Sequence, residues 1–117
     1  MVLIKNIPQA SVRKLKDEVS VQPGQIVSKT LAQNDVASIT LFAFSKGEEI
    51  STHVSDGDAM VLVLEGVGQL TVDGVPYECA AGETLVMPAH KPHAVYAAEE
   101  FKMLLTVVFP HSPSTPS

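Results

Sequence analysis

Two stretches decide how this chain is read: GEEISTHVSDGDAMVLVLEG at residues 47–66 and GETLVMPAHKPH at residues 82–93. Each opens on a glycine, and each places a histidine where a strand meets a turn. Between them lies QLTVDGVPYE (69–78), whose Asp73-Gly74 pair is the two-residue signal for a type I′ hairpin. Strands on either side of such hairpins close into antiparallel sheets. Two histidines on separate strands, His53 and His93, can then meet at one end of a small barrel.

Outward from these stretches the apolar period is two almost everywhere. β-rich runs fall at 26–32, 37–44, 49–54, 59–65, 68–72, 75–79, 83–88, 93–98 and 101–109. Turn residues separate them at spacings near ten, with no clear amphipathic helix between. The pattern predicts an all-β antiparallel sandwich or barrel rather than alternating α/β. The ends differ from this core. SVRKLKDEV (11–19) has Val12, Leu15 and Val19 on one side of one or two helical turns, and Gln22-Pro23-Gly24 stops it. Residues 1–24 are therefore expected as a short irregular or helical segment packing on or pairing with a barrel at 25–109. The tail at 110–117, with three prolines and three serines, is expected to be disordered and to leave His111 solvated.

Composition narrows the function classes. At 117 residues, 45% hydrophobic and 18% charged, the chain is expected to be one domain with a real core. A net charge of −5 with scattered basic residues argues against nucleic acid as a partner. The Arg13–Lys16 cluster reads as a solvated face. Cys79 is the single cysteine, so no internal disulfide forms, and it is expected to be buried and inert. The opening MVLIKNIPQA is too short and too soon interrupted for a secretory signal, and apolar runs such as AMVLVL are strand-length. A soluble cytoplasmic protein with no membrane partner is expected.

Strand alternation puts His53 and Ser55 on one face, with Thr52 and Val54 on the other. Pro88 ends one strand and Pro92 stiffens the corner that precedes His93. Imidazole suits zinc, iron, nickel and copper, usually alongside a third or fourth group.

These residues resemble the cupins, single-domain RmlC-like jelly-roll barrels. The family's first motif, G-x5-H-x-H-x3–4-E-x6-G, runs here from Gly47 through His53 to Gly66. Its second, G-x5-P-x-G-x2-H-x3-N, runs from Gly82 through Pro88 to His93. The resemblance spans about residues 36–109 and implies the jelly-roll fold. It also implies a metal site at the barrel mouth, holding one divalent ion (Zn, Mn, Ni or Fe), with a small-molecule ligand. Departures are specific. Ser55 replaces the second histidine, and Ala59 or Met60 stands at the glutamate. His90 replaces the second-motif glycine and Ala97 the asparagine.

His53 and His93 are thus the expected metal ligands, with His90 the best third candidate and Asp56 or Asp58 behind it. The plain reading of Asp56-Gly57-Asp58 is a tight turn. Ser55, Ala59 and Met60 are the expected ligand-pocket residues, while Met87 and Met103 read as core filling. Three functions follow. One is a small-molecule-binding barrel. Another is a metal-dependent enzyme of isomerase, dioxygenase or decarboxylase type using His53 and His93. The third is metal-free acid–base catalysis by either histidine. A homodimer is expected, with MVLI and strand 26–32 at its interface.

Overall fold

The computed structural model describes residues 2–110. Nine strands carry the fold: β1 (Ile26–Gln33), β2 (Ala37–Phe44), β3 (Glu49–His53), β4 (Asp58–Glu65), β5 (Val67–Val72), β6 (Val75–Ala80), β7 (Thr84–Met87), β8 (His93–Tyr96) and β9 (Phe101–Val108). Every expected strand is present, with ends shifted by no more than two residues. They form two antiparallel sheets, ordered β1-β2-β9-β4-β7 and β3-β8-β5-β6. Asp73 and Gly74 both take positive φ, 50° and 83°, which is the type I′ geometry the hairpin requires.

Side chains point into the space between the sheets in layers that follow the register. On the five-stranded sheet one row is Ser38–Val107–Ala59–Met87, the next Thr40–Leu105–Val61–Leu85, and a third Phe42–Met103–Val63. The four-stranded sheet answers with His53–His93–Val72–Val75 and then Ile50–Val95–Leu70–Tyr77. One buried apolar cluster joins the two sheets, from Ala59 and Met87 at the histidine end to Phe44 and Phe101 at the other. There the two phenyl rings stack with centroids 4.7 Å apart. Gly68 must be glycine at this end, because an added Cβ would lie 2.5 Å from the Phe101 ring.

A second cluster lies outside the five-stranded sheet. Ile7, Leu15, Val19 and Val21 of the N-terminal segment cover Leu31, Leu41, Ala43, Leu64 and Leu104. Lys29 Nζ donates to the Glu18 carbonyl, and Lys102 Nζ donates to the Lys16 carbonyl, so two sheet lysines hold the segment down. Only Leu15–Asp17 forms a 3-10 turn, and Val12 is fully exposed instead of sharing a side with Leu15 and Val19. Such a short segment gains its order from packing rather than from helix propensity. Cys79 is buried at 4% exposure, as expected, and burial pushes its thiol pKa up, with the Glu83 carboxylate adding to the effect. The expectations for residues 111–117, His111 included, lie outside the described residues.

Candidate functional site at the barrel mouth

His53 reaches the barrel interior through an irregularity in β3. Ile50 pairs with Val95 and His53 pairs with His93, so three steps on β3 oppose two on β8. Residues three apart on a regular strand face opposite ways, and a bulge at Ser51–Thr52 cancels that odd count. Ile50 packs on the interior cluster. The bulge therefore turns His53 to the same inward face, beside His93.

The two rings meet edge to face, with centroids 4.2 Å apart and planes at 72°. His93 lies beneath, only 3% exposed, while His53 is exposed at the rim. Among the described residues His93 is the one buried polar or charged side chain. Both rings are clasped alike. Nδ1 of His53 lies 3.0 Å from the Ser51 carbonyl, and Nδ1 of His93 lies 3.2 Å from the Lys91 carbonyl. A carbonyl only accepts, so each Nδ1 carries the proton and each Nε2 keeps its lone pair free when the ring is neutral. Burial lowers the His93 pKa below the ordinary histidine value and the neighbouring His53 ring lowers it further. The Lys91 carbonyl pulls weakly the other way.

The connectors that end in these histidines are laced together. The His90 N–H donates to the Ser55 carbonyl at 2.9 Å, and the Ala89 N–H donates to Asp58 Oδ1 at 2.8 Å. The Gly57 N–H donates to Ser55 Oγ. An added Cβ at Gly57 would lie 2.5 Å from the Val108 carbonyl, so this connector sits directly on the end of β9. The tip of the β5–β6 hairpin joins through the Asp73 N–H, which donates to the Pro92 carbonyl.

The expected site residues separate into those the fold brings together and those it does not. His53 and His93 meet. Ala59 lies buried in the inward row at the same end, offering a methyl group where a carboxylate was sought. Met60, one residue on, points to the outer face and is 45% exposed, so it is no pocket residue. Strand alternation is regular here and decides between the two positions. Ser55 is half-buried, but its hydroxyl is engaged in its own turn. His90 does not complete a ligand set. It takes a left-handed φ of 67° and lines a separate surface cavity of about 320 Å³ with Asp56, Asp58, Val108 and Phe109. Among the described residues no group of three His, Cys, Asp or Glu side chains converges to hold a metal ion.

Sequence reasoning missed Val72 and Val75, which extend the histidine row across the sheet. The hairpin signal beside them was visible, but the register that aligns them with His93 was not. Val75 is 49% exposed and forms an apolar shelf next to the pair.

Known proteins share this architecture. A conserved protein of unknown function from Streptococcus pyogenes is 47% identical with a TM-score of 0.93, over 96% of this chain and 98% of that one. A cupin superfamily protein from Desulfitobacterium hafniense is 34% identical with a TM-score of 0.87, over 92% and 98% of the two chains. The dimethylsulfoniopropionate lyase DddW of Ruegeria pomeroyi is 37% identical over 57 residues, a match spanning 49% of this chain and 38% of the lyase. The cupin domain family matches residues 40–109, the stretch that holds eight of the nine strands in whole or part and both histidines. On that match, and on the full-length likeness to these structures, the chain belongs to the cupin family.

Proposed function

We propose that this chain is a small-molecule-binding cupin whose binding centre is the His53–His93 pair. The observation that carries the reading is the buried His93 ring, in contact with His53 and with no hydrogen-bond partner at Nε2 among the described residues. A buried polar group without a second partner costs free energy that a ligand recovers on binding. The apolar Val72–Val75 row beside it supplies surface for an apolar body.

The resident metal that the family resemblance implies does not fit the donor set. Two imidazoles, an alanine and an engaged serine leave an ion short of the three or four protein ligands that such sites normally supply. A metal-dependent enzyme is the second reading; the partial similarity to the lyase favours its enzymatic part alone. Metal analysis of the purified chain separates the two, run alongside His53→Ala and His93→Ala. The binding reading expects a folded protein with well under one metal per chain and no thermal stabilisation by Zn, Mn, Ni or Fe. Stoichiometric metal that disappears in both variants would favour the enzyme.

We also propose a homodimer. Val2, Leu3 and Ile4 are 62%, 67% and 48% exposed, and β1 is an edge strand. The chain covers this edge only in part, through the Lys5 N–H donating to the Leu31 carbonyl and Asn6 Nδ2 donating to the Thr30 carbonyl. The exposed apolar side chains beside it favour cover by a second copy. Light scattering should return twice the 12.5 kDa chain mass, and a monomer would refute it.

A further inference from the structure

The misfit between the metal motif and the side chains present leaves a centre with its own chemistry. Both Nδ1 protons are committed to backbone carbonyls two residues earlier in the chain, Ser51 for His53 and Lys91 for His93. The clasp works the same way on two different strands. Each neutral ring then offers a single lone pair, at Nε2, and nothing to give. A carboxylate or phosphate head would meet two acceptors there. A head carrying several N–H or O–H groups would meet two partners.

The rim points the same way. The turns and strand starts that surround this end carry Asp35, Asp56, Asp58 and Asp73, all exposed. Among the described residues of those connectors, Lys91 is the one lysine or arginine. A mouth with four carboxylates against one lysine is net negative, and such a field concentrates ligands of the other sign and raises their encounter rate. Lone pairs at the centre and carboxylates at the rim both select a positive, donating head. Val72 and the half-exposed Val75 continue the histidine row, so an apolar body attached to that head has a surface to lie on.

We infer that the barrel mouth is a metal-independent site for small primary amines, with the ammonium head donating to Nε2 of His53 and His93 and the alkyl body resting on Val72 and Val75. This rests on the binding reading above and names the ligand class of the same site. No covalent step is involved.

The test uses the full chain in chelator, titrated with n-butylamine, n-butanol and n-butyrate, which share a body and differ in the head. Histidine ¹⁵N–¹H spectra report the tautomers in the same samples. Both rings should show protonated Nδ1 and bare Nε2. Butylamine should bind best, at least about tenfold tighter than butyrate, with butanol between them. His93 is buried and its replacement risks the fold, so the informative variant is at the exposed His53. His53→Gln introduces an amide donor and should shrink the amine preference while improving butyrate binding.

Outcomes separate the two levels of the argument. Butyrate binding as tightly as butylamine, or Nε2–H tautomers in the spectra, overturns the amine inference and leaves the binding site standing. Binding that requires added Zn overturns metal independence. If none of the three probes perturbs either histidine, the binding reading itself fails.

Discussion

The two ends of this barrel are built from the same strands and do opposite things. At one end Phe44 stacks on Phe101, Gly68 yields space to the Phe101 ring, and Met103 and Val63 complete a buried apolar plug. At the other end the layer holds His53, His93, Val72 and Val75, with the last of these half exposed. The phenyl end maximises contact and is satisfied. The histidine end keeps a polar ring buried with an open valence. The contrast shows where the fold obtains stability and where it retains capacity for a ligand, since close packing at one end can offset an unsatisfied group at the other.

The largest test of this division is Phe101→Ala. Loss of a fully buried ring beside Phe44 should cost about 3–5 kcal/mol in urea unfolding. A cost under about 1 kcal/mol would mean that the plug does not hold the barrel. Gly68→Ala presses a methyl group into the same ring and should cost about 1–3 kcal/mol, with Phe101 displaced.

The pH dependence should separate the ends next. His93 has its folded pKa lowered, so the unfolded chain takes up the proton first as the solution is acidified. Its contribution is intact above the unfolded value of about 6.5 and declines as pH falls from there toward the folded pKa. Cys79, which pairs with Gly68 toward the phenyl end, has its pKa raised. Its contribution is intact below the unfolded value of about 8.5 and is lost as pH rises through the folded pKa. Denaturation midpoints followed across pH should fall on both sides. His93→Leu should flatten the acid limb and Cys79→Ala the alkaline one. An acid limb unchanged in His93→Leu would assign it to the carboxylates instead.

The smallest stability effect should be at His53. The ring is exposed and its removal leaves no cavity, so His53→Ala should stay within about 0.5 kcal/mol of the parent. Ligand response at His93, read by NMR, should nevertheless weaken. A stability loss above about 2 kcal/mol would show that the mouth is structural as much as functional.

Much of this was legible before any coordinates. Alternation placed all nine strands, and Asp73-Gly74 announced its hairpin, because both signals are local and depend on two to eight neighbouring residues. Residues 11–19, expected as an irregular or helical segment, carry a single 3-10 turn, and only the placing of Val12 beside Leu15 and Val19 differs, for the complementary reason. A segment that short takes its form from the sheet beneath it, and the sheet accepted Leu15 and Val19 while leaving Val12 in solvent. The third-ligand expectation at His90 failed because three residues along a turn is not a distance in space. Its left-handed backbone faces another cavity.

Ala59 and Met60 mark the boundary well. Motif spacing permitted either at the missing carboxylate, and only the pleat of β4 put Ala59 inward and Met60 outward. The paired histidines, glycines and Pro88 by themselves determined a cupin barrel and nominated His53 and His93. That the two rings touch is a decision of the tertiary structure. It depends on a bulge at Ser51–Thr52 that exists because β3 must pair with β8 in one register while its neighbours hold Ile50 in the core. Local sequence specifies a strand's period, but the face a residue presents after a break in that period is set by the strand it is bonded to.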